Sequence, residues 1–301
     1  MIKYRAFIKV VELGSITKAA RQLGYSQPGV SHMLDSLEKE IGFPLLIRSR
    51  DLIRPTEDGK KILYYCREIV KNEDSLKETA DSVKGLLSGN IRIGSLNSML
   101  LRFVPQVVNE FYKAYPNISV QVHEMSSLDI RQALSSGNID IGFMNNSVPG
   151  GFDFCPLFHD SVIMVMNEKH PLTKYSKIPI DQLNDQDFIM PLPGWDDLLS
   201  AITDKEKFTP NVRHYVASDL AGVSMSANEL GLYVLSSMQM TMVPANVAVR
   251  QLDSPVGRDL GMIIKSIKNT TPALKEFVKA ANKAAVDYAH TMDDVTYIGK
   301  Y

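Results

Sequence analysis

Residues 16–41, ITKAARQLGYSQPGVSHMLDSLEKEI, leave the first part of this chain little freedom. Ile16, Ala19, Ala20 and Leu23 recur at i, i+3, i+4 and i+7, which places them on one face of a short helix. Gly24 follows, where a helix ending needs a left-handed residue without a Cβ penalty. Ser26 can cap a second helix, and Pro28 falls in its first turn, where a missing N–H is harmless. Val30, Leu34, Leu37 and Ile41 form the buried stripe of that second helix, with Gln27, Gly29, Ser31 and His32 on the opposite face. A plain helical hairpin with polar residues outside would satisfy the same spacing. A helix-turn-helix, its second helix entering a DNA major groove N-terminus first, accounts for more of it.

The flanks favour the second reading. Tyr4, Phe7, Ile8 and Val11 make a third amphipathic helix that completes a trihelical core, and Gly14-Ser15 marks its end. Residues 45–56, LLIRSRDLIRPT, read as a strand, a basic turn and a second strand, which fits a wing.

These pieces together resemble the DNA-binding domain of the LysR-type transcriptional regulators. The resemblance is carried by Gly14-Ser15-Ile16-Thr17-Lys18-Ala19-Ala20, Ser26-Gln27-Pro28, Ser31, Leu37-Glu38, Ile41-Gly42-Phe43-Pro44-Leu45-Leu46, Arg48, Thr56 and Gly59. The chain departs from the family at His32, where Arg is frequent, at Leu46, usually Phe, at Asp51, where a wing Arg is common, and at Pro55, usually Leu. The helix-turn-helix is expected over Ile16 to Asp35. Gln27, Ser31 and His32 are expected to meet bases. Ser26, Gly29 and Thr17 are expected to meet the DNA backbone, with Lys18 and Pro28 beside them. Arg48, Arg50 and Arg54 of the wing are expected to touch phosphate or the minor groove.

Charge is distributed to match. The 301 residues carry a net charge of −1, yet residues 1–65 hold 11 Lys and Arg against 7 Asp and Glu, and the remainder holds 22 against 27. A basic first fifth on an acidic body suits a protein that presents one end to phosphate. The only two cysteines, Cys66 and Cys155, show no metal or redox spacing and are expected to be buried small hydrophobes. A peroxide-sensing disulfide, as in some relatives of the family, would need reactive thiols. No uninterrupted apolar run follows the first basic residues, and no stretch of about 20 apolar residues occurs. A cytoplasmic protein without a membrane partner is expected.

The chain divides into an expected winged helix-turn-helix over residues 1–58, a linker helix over 59–88 and an effector domain over 89–301. In the linker Ile62, Cys66, Ile69, Glu73, Leu76, Ala80, Val83 and Leu87 follow alternating steps of four and three, a heptad seam fit for a two-helix coiled coil. Glu73 breaks the seam and is read as fixing register or orientation. The resemblance implies a homodimer through this helix, often assembled to a homotetramer, acting on double-stranded operator DNA, with RNA polymerase as a further partner.

From residue 90 strands alternate with helices: strands at 90–95, 118–123 and 139–144, with helices at 103–115 and 128–136, imply a parallel sheet covered on both faces. A second set follows, with strands at 162–166, 188–190, 211–216 and 232–235 and a helix from Asp219. A strand near 261–265 and a helix over 272–290 are expected to return to the first set. Two such α/β subdomains, about 89–161 with 266–301 and about 162–265, resemble the periplasmic-binding-protein architecture of LysR effector domains. Ligands of open α/β sheets bind beyond the carboxyl ends of the strands. The loops there nominate Asn97, Ser98, Met125, Ser126, Ser127, Phe143, Asn145, Leu192, Pro193, Trp195 and Ser218. The resemblance places effector contacts at Ser98 and Ser127, where helix capping is an equally good use of a serine. With few Lys or Arg in these loops, a small, singly charged or neutral metabolite is expected. No cofactor or metal is expected.

An enzyme acting on a small metabolite, or a solute-binding protein, could use the same scaffold. Against an enzyme, no catalytic triad, metal set or phosphate loop emerges. The six histidines at 32, 123, 159, 170, 214 and 290 are scattered, and His159-Asp160 is a close acid–base pair. The basic winged helix argues against a solute-binding protein.

Overall fold

The computed structural model describes residues 1–49, 53–83, 88–146, 151–192, 209–242, 244–254, 257–290 and 295–299. The chain forms two compact units, divided at Gly89, with residues 136–138 grouped with the first.

In the first unit α1 (Ile2–Leu13), α2 (Ile16–Leu23) and α3 (Gln27–Ile41) close around Phe7, Val10, Ala19, Ala20, Val30, Leu34 and Leu37. Gly24 ends α2 at φ 73°, donating its N–H back to Ala20 and Arg21. The wing is the antiparallel pair β1 (Leu46–Arg48) and β2 (Ile53–Pro55). Ile53 N–H donates to Gly14 O at 3.2 Å, which ties the wing to the α1–α2 turn.

Helix α4 (Glu57–Val83) corrects the expected seam. Cys66 is buried, and with Ile62 and Leu63 it belongs to the core shared with α1. Glu73 faces its own domain: Arg5 donates to it at 3.0 Å and to Asp74 as well. Arg5 and Lys77 hold the Glu73 carboxyl below its ordinary value. Ile69, Leu76 and Val83 remain as an outward stripe, 40%, 71% and 84% exposed at seven-residue spacing. Leu87 lies outside the described residues. The first turns of α4 meet α1 through the same stripe that a coiled coil would use, so only its later part is left for a second helix.

The second unit is built on a sheet whose strands lie in the order Ile118–Glu124, Gly89–Ser95, Ile141–Asn145, Gly257–Ile264, Asp153–Asn167, Leu232–Ser236, Asp187–Pro191 and Asn211–Val216. Its first half contains β3 (Gly89–Ser95), α5 (Asn97–Arg102), α6 (Val104–Ala114), β4 (Ile118–Glu124), α7 (Ser127–Ser135) and β5 (Ile141–Asn145). Strand β6 (Asp153–Asn167) passes to the second half, which holds β7 (Lys177–Ile178), β8 (Asp187–Pro191), β9 (Asn211–Val216), α8 (Asp219–Ala227), β10 (Leu232–Ser236) and β11 (Val247–Leu252). β12 (Gly257–Ile264) then returns, followed by α9 (Pro272–Ala289) and β13 (Val295–Tyr297).

The expected parallel pairing holds for β3 with β5 and for β8 with β9 and β10. The sheet as a whole is mixed, because β12 runs antiparallel to β5 and β6, and β6 antiparallel to β10 and β11. The strand expected at 162–166 is the second part of a 15-residue strand. Its first part, residues 153–161, pairs β12 and its last part pairs β10 and β11. Pro156 conceals that first part in the sequence, and it sits at the register shift opposite Leu260/Gly261, where proline is tolerated.

Alternate residues of β6 and β10 enter two cores. Val162, Met164, Met166 and Val234 face one side, and Ile163, Val165, Tyr233 and Leu235 face the other. In the first half Phe103 meets Phe143, Phe158 and Tyr288 edge to face or nearly so, and Phe111 meets Phe277 of α9.

Candidate nucleic-acid interface and sensor site

The N-terminal turn of α3 is a prepared surface. Ser26 Oγ accepts the Gly29 N–H at 3.2 Å, and Ser15 Oγ accepts the Lys18 N–H at 3.3 Å at the start of α2. Ser26 Oγ thus accepts the cap bond, which leaves its O–H to donate toward a phosphate. Thr17, Lys18, Ser26, Gln27, Pro28 and His32 are exposed, and Gly29 and Ser31 are half-buried beside them. The same helix buries Val30, Leu34 and Leu37, so the polar stripe is aimed away from the core.

The wing arginines differ from one another. Arg54 is exposed on β2. Arg50 lies outside the described residues. Arg48 is engaged: its Nη2 donates to Asp35 Oδ1 at 2.6 Å and to Glu38 Oε2 at 2.9 Å. Two carboxylates of the recognition helix thus hold Arg48, the residue expected at phosphate or the minor groove. Glu38 Oε1 also accepts the N–H groups of Leu45 and Leu46, at 2.7 and 3.0 Å.

In the second unit the carboxyl ends of the strands converge on hydrogen bonds that close on one another. Ser98, 1% exposed, accepts from Arg258 Nη2 at 3.3 Å. Arg258 Nε donates to Asp160 Oδ2 at 3.3 Å, and both side chains are buried, 4% and 0% exposed. Asp160 also accepts from Ser236 Oγ at 2.7 Å and Ser237 Oγ at 3.0 Å. A second chain runs beside it. Gln239 Nε2 donates to Asn97 Oδ1 at 2.8 Å and to Asp219 Oδ2 at 2.6 Å. Asp219 also accepts from Tyr233 OH at 2.6 Å, and Asn97 Nδ2 donates to Glu124 at 3.1 Å.

The expected sensor residues distribute around these chains. Asn97 and Ser98 are members. Ser126 caps α7, its hydroxyl accepting the Asp129 N–H at 3.1 Å. Ser127 is buried and its hydroxyl has no hydrogen-bond partner among the described residues. Met125 is half-buried and Asn145 buried, while Leu192 and Ser218 are exposed. Phe143 is corrected: it is fully buried among Phe103 and Phe277 and belongs to the core. Pro193 and Trp195 lie outside the described residues. Asp160, Arg258 and Gln239 were missed as site residues. His159-Asp160 is no acid–base pair, because successive strand residues face opposite ways: His159 Nδ1 meets Asp259 at 3.0 Å while Asp160 turns inward. Two open concavities lie elsewhere, one of about 600 Å³ beside Thr173, Tyr175 and Arg250, one of about 450 Å³ at the amino ends of β8–β10.

Both cysteines are free and buried, and burial pushes each thiol up to about 11. Since the thiolate is the reactive form, alkylation by iodoacetamide at pH 8 is expected to run on the order of a hundredfold slower in the folded chain than in urea. Equal rates would show that burial shields neither thiol, and a faster rate in the folded chain would show one to be activated.

A family model for the bacterial regulatory helix-turn-helix protein, lysR family, matches residues 2–60, and one for the LysR substrate binding domain matches residues 84–285. The uncharacterized HTH-type transcriptional regulator YvbU of Bacillus subtilis is 30% identical over 282 residues, 93% of this chain and 96% of that one. The probable HTH-type transcriptional regulator LrrA of Synechococcus elongatus is 29% identical over 288 residues, 94% of this chain and 96% of that one. Among solved structures, a full-length OxyR point variant from Pseudomonas aeruginosa has the same fold, with a TM-score of 0.77, 20% identity and coverage of 94% of this chain and 93% of that one. Full-length CbnR in complex with its target DNA follows at a TM-score of 0.67, with 18% identity and coverage of 94% and 99%. Two adjoining matches to this family's domains, the second spanning most of the chain, settle the identity: this chain belongs to the LysR family of bacterial transcriptional regulators.

Proposed function

We propose that this regulator reads operator DNA as a dimer through the first turn of α3, and that its second unit senses a small, singly charged or neutral molecule. Gln27, Ser31 and His32 read base edges. Thr17, Lys18, Ser26, Pro28 and Gly29 sit against the DNA backbone, and Arg54, with Arg50, supplies phosphate contacts. Supporting this is the exposed polar turn of α3, held in shape by the Ser26 cap and backed by Val30 and Leu34. The outward stripe of Ile69, Leu76 and Val83 supplies the dimer contact. Residues 1–58 form the DNA-binding domain, 59–88 the linker and 89–301 the sensor.

The sensor site comprises Asn97, Ser98, Met125, Ser126, Ser127, Asn145, Leu192 and Ser218, with Arg258 behind Ser98. Because Asp160 already pairs with Arg258, that cation offers no uncompensated charge to a ligand. This favours a neutral or singly charged effector over a polyanion.

Gln27→Ala is expected to cost about 1–3 kcal/mol on selected sequences and to relax base choice at one position, seen by selecting bound duplexes from a randomised pool. Unaltered base preferences would remove Gln27 from the reading face. Arg54→Ala is expected to weaken all sequences alike, with a salt slope lower by about 1.

A further inference from the structure

The junction between the recognition helix and the wing holds three charged side chains whose charges do not cancel. Asp35 lies one turn after Ser31 on the same face of α3, and its side chain is 59% exposed. Glu38, one turn further, is 19% exposed, and its Oε1 is committed to the N–H groups of Leu45 and Leu46. Both carboxylates reach the same nitrogen of Arg48, Nη2, which comes from the last residue of β1. One cation thus answers two anions, and the group carries −1 where a DNA-facing surface would be expected to be positive.

The two carboxylates have different roles. Glu38 is an anchor: it replaces the missing partners of two backbone N–H groups at the start of β1 and fixes where the wing leaves the helix. Asp35 anchors nothing beyond Arg48 among its described contacts. A carboxylate on the exposed stripe of a recognition helix repels phosphate on every sequence, and it also occupies a guanidinium that could otherwise release a counterion.

We propose that Asp35 is a specificity-determining residue: by holding Arg48 against α3 it withholds that arginine from phosphate and lowers sequence-independent binding. Discrimination then comes from a weakened background as well as from base contacts. The proposal rests on α3 facing DNA.

The test uses the full-length protein, a random-sequence duplex, and affinities measured between about 50 and 200 mM salt. Asp35→Asn is expected to bind the random duplex about two- to fivefold tighter, with a salt slope steeper by up to about 0.9. Its preference for sequences selected by the wild type should fall correspondingly. Arg48→Met is expected to leave the slope nearly unchanged in the wild type and to lower it by about 0.9 in the Asp35→Asn background. A slope that falls equally in both backgrounds overturns the proposal, because Arg48 would then touch phosphate whether or not Asp35 is present. No change in either background also overturns it. If Arg48→Met loosens the wing, Asp35→Asn alone decides, since it keeps the Glu38 anchor, and an unaltered slope there refutes the idea. Arg54→Ala is the control: if it too leaves affinity and slope untouched, the placement of this face on DNA has failed, and not the role of Asp35.

Discussion

Asp160→Ala is expected to destabilise the second unit by about 3–5 kcal/mol, the usual cost of breaking a buried ion pair from one side. The carboxylate is wholly buried and serves three donors, Arg258, Ser236 and Ser237. Removing it takes the Asp160 charge away from the Arg258 guanidinium, which is itself 4% exposed. The position magnifies the effect. Asp160 and Arg258 are cross-strand partners in β6 and β12, near the end of the β12-paired stretch of β6. Val162 begins the stretch that pairs β10. The same carboxylate reaches the end of β10 through Ser236, while Arg258 reaches α5 through Ser98. Urea unfolding followed by circular dichroism is expected to show the loss as a lower midpoint. Asp160→Asn with Arg258→Met, which removes both charges, is expected to recover much of it. A single Asp160→Ala variant as stable as the wild type would mean that the pair contributes no more than an exposed one.

The contrast between what the sequence discloses and what it conceals follows from distance along the chain. The Ser26 cap, the Gly24 terminus and the stripe of Val30, Leu34 and Leu37 are settled within a few residues of one another, and they are legible because helix caps and helix periodicity are local. Arg258 and Asp160 are 98 positions apart, and Gln239 meets Asn97 across 142. No spacing rule links such residues, and Arg258 lies in the part of β12 before the apolar run that marks the strand. The heptad in α4 misled for a related reason. Its period reported correctly that one face is apolar, but not that Cys66 and Ile62 meet α1 of the same chain while Leu76 and Val83 do not. Arg48 read as a free wing cation because its partners, Asp35 and Glu38, lie on a different element. Phe143 read as a site residue because the end of a strand was legible, while the aromatic packing of Phe103 and Phe277 around it was not.

Gly59→Ala is expected to destabilise the first unit by about 1–3 kcal/mol, against the direction that helix propensity alone would give. Within a helix alanine is favoured over glycine by about 1 kcal/mol, so on local grounds the substitution should help. Tertiary placement reverses the sign. A Cβ on Gly59 would lie 2.1 Å from the Leu45 carbonyl oxygen and 2.9 Å from Thr56 Oγ1. Neither atom can withdraw cheaply. The Leu45 oxygen accepts the Thr56 N–H at 3.0 Å, and Thr56 Oγ1 both donates to Pro44 O at 3.0 Å and accepts the Gly59 N–H at 2.8 Å. Relief therefore requires the start of α4 to move away from β1, at the expense of the cap that begins the helix and of the contact that seats the wing. Thermal unfolding of the variant should show a lowered transition. Binding to a random duplex should weaken with it, since Arg54 rides on the strand that leads into this cap. A variant of equal or higher stability would mean that the junction between wing and linker helix yields freely, and the close approach at Leu45 would then have no part in holding the wing.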